Sequence, residues 1–180
     1  MRMLDTFLSL SQTMPYMPPA SWWLAPLVLF LLGTLAVIDA LTSKVPDPLI
    51  LPSLILITVV QGYYVEWTFA GSHMLTAFAA AFTIFLLNEI WFRIGKRDAL
   101  GMGDAKWTML AVVCFGLPPA LIAWGVGAIL AVGWIGLARV ANHPIKRVHF
   151  APFLFFGLLA GIWWLRLRTG VPLPTGGSGQ

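Results

Sequence analysis

The chain has 180 residues, of which 59% are hydrophobic and only 10% charged, with a mean hydropathy of +0.85 and a formal charge of +4. Soluble domains carry about 25% charged residues, so the composition excludes an ordinary soluble domain and points to an integral membrane protein. The basic residues lie in short loops between apolar runs, as membrane orientation requires, which excludes a nucleic-acid partner despite a pI near 9.6. Thirteen prolines and seventeen glycines suit membrane helices that are broken and closely packed.

In chain order, residues 1–20 do not read as a signal peptide, because Asp5 interrupts the basic start and Pro15, Pro18 and Pro19 break the apolar stretch. Leu4, Phe7 and Leu8 can form an apolar face lying on the membrane, and the segment is expected outside the cytoplasm. Six spans follow within 21–168. The first runs from about Trp22 to Ile38, the second from Pro48 to Val65, and the third from His73 to Ile94 between Gly71 and Gly95. The apolar run Trp107–Val140 exceeds the ~20 residues of one span, and Pro118-Pro119 divides it into two helices. The sixth runs from about Phe150 to Leu167, and 169–180 is a flexible tail. The expected fold is an all-α bundle of six transmembrane helices, with no repeat and no separate soluble domain. Lys44, Arg93, Lys96, Arg97, Lys106, Arg139, Lys146 and Arg147 then share one face, which positive-inside bias makes cytoplasmic, leaving both termini on the other.

The chemistry centres on Gly101-Met102-Gly103-Asp104, a charged glycine turn between apolar runs. An aspartate where a membrane helix begins is costly and marks a functional site. The two glycines allow positive φ or close approach of another chain, and Asp104 is expected in the first turn of the fourth helix. That helix, Asp104 to Leu117, would be only ~21 Å long against a ~30 Å hydrocarbon core. Its start is therefore expected below the membrane surface, in a protein-lined cavity. Asp39 stands in a similar place at the end of the first span. Two carboxylates facing one cavity do not both ionise cheaply, and such a pair can activate water and protonate a leaving amine. The helix start leans the roles toward Asp104 as base and Asp39 as acid.

Together these residues resemble the type IV prepilin peptidases, membrane aspartic proteases with a GxGD turn and an upstream aspartate. Asp39 is followed after six residues by Pro46-Asp47, as in the family's upstream motif. Gly101-Met102-Gly103-Asp104 matches the second, with the frequent lysine at Lys106. Phe150-Ala151-Pro152-Phe153 is similar to a third segment, although Val148-His149 precede it where the family usually has proline. The resemblance covers Trp22 to Leu167. It implies Asp39 and Asp104 as the catalytic pair, supported by Gly101, Gly103, Lys106, Pro46, Asp47 and Pro152. It also implies removal of a short basic leader from a prepilin at the cytoplasmic face while the substrate's apolar helix stays among membrane lipids. Long members carry a further domain with paired cysteines and N-methylate the product. With the single cysteine Cys114, this chain is similar to the short form of Flp-type (Tad) systems, for which peptidase activity without methylation is expected.

The three histidines show no ligand spacing and are expected at the interface, so neither a metal nor a cofactor is assigned. Tryptophans such as Trp22, Trp23, Trp163 and Trp164 suit interfacial belts. Glu89 and Arg93, four residues apart, suggest a helix ion pair. Intramembrane carboxylates also serve transport, so a small proton- or cation-coupled carrier is the alternative, although both aspartates lie at span ends.

Overall fold

The computed structural model describes residues 24–42, 45–95, 101–141 and 149–169. The N-terminal segment, nearly all of the tail, His143 and the basic residues Lys44, Lys96, Arg97, Lys146 and Arg147 lie outside the described residues. Among the described residues there are six helices and no strand: α1 (Leu24–Thr42), α2 (Asp47–Tyr64), α3 (Trp67–Gly95), α4 (Met102–Phe115), α5 (Leu117–Val140) and α6 (Ala151–Thr169). They form a helical membrane bundle, in which α1, α2, α3 and α5 are long and apolar enough to cross a bilayer.

Two boundaries differ from expectation. The first helix runs on to Thr42, so Asp39 lies inside its last turn rather than beyond its end. The third begins at Trp67, and Gly71 is part of it: a Cβ there would meet open space, so the glycine breaks nothing. As expected, the long apolar run divides. The break falls at Gly116, whose φ of 80° is open to glycine, and Pro118 and Pro119 then occupy the first turn of α5.

The short helix α4 is the centre of the bundle and packs against all five others. From Trp107 to Phe115 every residue of α4 is buried. Because it stops inside the bundle, its last carbonyls need partners other than water. The Gly116 N–H donates to the Val112 carbonyl at 2.9 Å. Gln61 Nε2 of α2 donates to the Val113 carbonyl at 2.9 Å, and His73 Nδ1 of α3 lies 3.2 Å from the same oxygen. His73 is therefore half-buried against α4, beside a helix carbonyl. Trp107 departs from the interfacial belt: fully buried, it donates its indole N–H to the Leu32 carbonyl of α1 at 3.2 Å. The Glu89–Arg93 pair forms as expected, at 2.9 Å.

Close contacts fix the relative heights of the helices. A Cβ on Gly157 would lie 2.4 Å from the Ala123 carbonyl oxygen, and one on Gly127 would lie 3.2 Å from the Phe153 backbone. With Gly161 against Pro119, these contacts lay α6 antiparallel along the first half of α5, backbone to backbone, as small residues allow in membranes. The second half of α5 continues past the start of α6. Beyond Ile84 in α3 and Ala131 in α5 no described side chain is fully buried, although Asn88, Glu89, Ile135 and Ala138 stay partly covered, so about ten residues of each helix, ~15 Å, are less enclosed at one end.

Because Gln61 and His73 serve one carbonyl, each covers the loss of the other. Gln61→Leu or His73→Leu alone is expected to lower unfolding stability by no more than ~1 kcal/mol, and the double variant by more than the sum, about 1–3 kcal/mol. Thermal unfolding of the four proteins in detergent, followed by circular dichroism, measures this.

Candidate active site

Asp104 is the third residue of α4 and is 6% exposed. Its Oδ2 accepts the Gly101 N–H at 3.1 Å, while its own N–H donates to the Gly101 carbonyl at 3.0 Å. The carboxylate thus caps its own helix by satisfying one of its end groups. One turn on, Thr108 donates to the Asp104 carbonyl at 2.7 Å and accepts the Trp124 indole N–H at 2.9 Å. The backbone that carries Asp104 is in this way tied to α5.

Asp39 comes from the opposite side, in the last turn of α1, and is half-buried. It accepts a hydrogen bond from the backbone N–H of Ala151, the first residue of α6, and His149 is close enough for its charge to act on it. Its Oδ1 is 3.6 Å from where a Cβ on Gly103 would sit. Gly103 is the residue next to Asp104, and the two carboxylates are near enough to interact electrostatically. The structure brings them together at one end of the bundle. Each sits at a helix N-terminus, Asp104 at that of α4 and Asp39 at that of α6. The helix dipole therefore acts on both and does not assign acid and base.

The other residues singled out in the sequence fall into three places. Gly101 and Gly103 lie at the pair. The φ of Gly101 is −74°, and among the described glycines only Gly116 has positive φ. What Gly103 supplies is room: a Cβ there would lie 2.7 Å from Val45 Cγ2. Pro46 occupies the N-cap position of α2, Asp47 is that helix's first residue, and Asp47 is ion-paired with Lys106. Pro152 does not face the pair. It lies in the first turn of α6 and lines an apolar groove of about 640 Å³ along the outer seam of α1 and α6. Phe30, Gly33, Val37, Ala40 and Phe156 are among the other residues that line it, and Ala40 places the groove beside Asp39.

Sequence reasoning missed the Ala151 amide, His149 and Val45. For the amide there was a signal. Phe150-Ala151-Pro152 marks a helix start, since proline suits a first turn, and the first free N–H of that helix is the one that Asp39 takes.

A helical membrane bundle that gathers two carboxylates at one end is a framework suited to a membrane-embedded hydrolase. Residues 26–165, a stretch containing both aspartates, match the type IV leader peptidase family, and the chain belongs to that family. It is a multi-pass membrane protein of protease type. No curated protein and no solved structure matches it.

The notch at Gly103 gives a selective test. Gly103→Ala forces Val45 away and is expected to lower proteolytic activity by roughly tenfold to a hundredfold, the scale for a site displaced by about 1 Å. A second change, Val45→Ala, should restore part of it. Gly101→Ala should be milder, because its Cβ meets nothing closer than Asp104 Oδ2 at 3.4 Å. Initial cleavage rates of the four proteins, normalised to their amount in the membrane, measure the order.

Proposed function

We propose that the protein is an aspartic endopeptidase that removes the short basic leader from type IV, Flp-like prepilins, with Asp39 and Asp104 as its catalytic pair. The observation that carries this reading is the meeting of Asp39, at the end of α1, with the Gly103-Asp104 step of α4. In the proposed reaction one carboxylate takes a proton from a water molecule as the water oxygen attacks the scissile carbonyl carbon. The other gives its proton to the leaving nitrogen as the C–N bond breaks. The proton gained by the first returns the pair to its starting state when passed to the second. The Ala151 and Gly101 amides hold the two carboxylates in place through both steps, so little reorganisation is needed.

The apolar groove beside Asp39 supports a substrate whose own apolar helix remains in lipid while its leader reaches the carboxylates from the cytoplasm. Arg93, Lys106 and Arg139 lie near helix ends and agree with a cytoplasmic location of that end. The single cysteine, Cys114, is buried in α4 and supports the short, non-methylating form of the family.

Asp39→Asn and Asp104→Asn are each expected to slow leader removal at least ~10²-fold, the lower scale of general acid–base catalysis, with the protein still present in the membrane. Co-expression with an Flp-like precursor and a gel-mobility assay measures this. Normal processing by either variant rejects the pair.

A further inference from the structure

The chain that follows Asp39 and leads from α1 into α2 contains Val45 and Asp47, six and eight positions after that aspartate. Both residues of that segment touch α4. Val45 fills the space over Gly103, and Asp47 is ion-paired with Lys106. On a helix, positions three apart lie on one face and positions two apart do not. Gly103 and Lys106 therefore share a face of α4, whereas Lys106 leaves the helix well away from Asp104. Residues 45 to 47 meet this face at two points, one apolar and one ionic. Deeper in the bundle, the Trp107 indole fixes α4 to Leu32 of α1. On α4 the two anchors are consecutive residues, two and three positions after Asp104, and on the other side Asp39 lies between Leu32 and Asp47 in the chain.

From this arrangement we infer that the Asp47–Lys106 ion pair is a tether that sets the spacing of Asp39 and Asp104, and that both of its members are positioning residues for the peptidase. The inference rests on the function proposed above. Its logic is one of magnitudes. The Lys106 side chain is 31% exposed and that of Asp47 64%. Such a pair contributes at most about 1 kcal/mol to stability. A displacement of about 1 Å at a reacting pair, however, can lower a rate by up to about a hundredfold. The tether therefore matters far more to turnover than to folding, and loss of the pair acts on kcat and leaves KM nearly unchanged. The substrate need not touch either residue.

The test uses the purified full-length protein in detergent, with a synthetic precursor peptide that carries a Lys/Arg leader ahead of an apolar helix. Lys106→Met and Asp47→Asn are each expected to lower kcat by about tenfold or more, with KM within about twofold and the thermal midpoint within a few degrees. Lys106→Arg, which keeps the pair, should stay near the parent rate. The exchange of charges, Asp47→Lys with Lys106→Asp, should recover most of the kcat lost by either single change. Wild-type kcat in both Lys106→Met and Asp47→Asn overturns the tether, and so does a charge exchange that stays as slow as the single variants with a raised KM. The latter means that Lys106 contacts substrate directly. Asp104→Asn is assayed beside them. If it is dead while Lys106→Met is fully active, the tether fails and the proposed function stands. If it cleaves normally, the proposed function falls and the tether with it.

Discussion

Backbone amides and carbonyls in hydrocarbon have no water to bond, and this constraint falls hardest on α4. Its fourteen residues reach only ~21 Å, and from Trp107 to its last residue, Phe115, every one is buried. At the C-terminal end Pro118 and Pro119 have no N–H to extend the ladder, and Gln61 and His73 converge on the Val113 carbonyl instead. At the N-terminal end a carboxylate, Asp104, accepts the Gly101 amide. The group that completes the helix is therefore also the group placed for chemistry. A neutral cap could satisfy the amide, but a carboxylate does so while keeping a second oxygen and a titratable proton. Capping and the candidate chemistry thus fall on one residue in the first turn of a short helix.

A second requirement is that backbones come close. In lipid no hydrophobic force drives helices together, and association depends on packing and hydrogen bonds. Along α5 and α6 this is met by Gly127, Gly157 and Gly161, where a Cβ would run into the opposing chain. The result is a stiff pair that holds the first amide of α6 against Asp39. At the carboxylates the same device works on a single residue, Gly103, over which Val45 settles. The glycine turn is thus better described by the volume it leaves empty than by its backbone angles.

Hydropathy located the helices, and the two aspartates at span ends were legible because charge in an apolar run has no bland place to go. The faces of the helices were not legible. Val28 is fully buried and Phe30 is 78% exposed in the same helix, yet both are apolar, because a membrane helix meets lipid outside and apolar neighbours inside. Without a polar stripe there is no periodicity to show which side packs. For the same reason Trp107 and His73 gave no sign of their buried hydrogen bonds. Each reaches a backbone carbonyl far away in sequence. The Ala151 amide was hidden for a different reason: backbone groups carry no residue letter, and only the helix-start signal around Pro152 pointed to it.

The unequal lengths of the helices bear on how water reaches such a pair. On α3 and α5, apolar surface continues ~15 Å past the last fully buried residues, with Trp91, Phe92, Trp134 and Leu137 exposed there. The Glu89–Arg93 pair and Arg139 share these segments, so apolar and charged side chains are mixed there. α1, α2, α4 and α6 all end or begin near the carboxylates, and their residues at that level include Asp47, Lys106 and His149. Hydrolysis needs water, and the half-buried Asp39 stands beside the apolar groove of α1 and α6, so a polar group and an apolar surface adjoin at that end of the bundle.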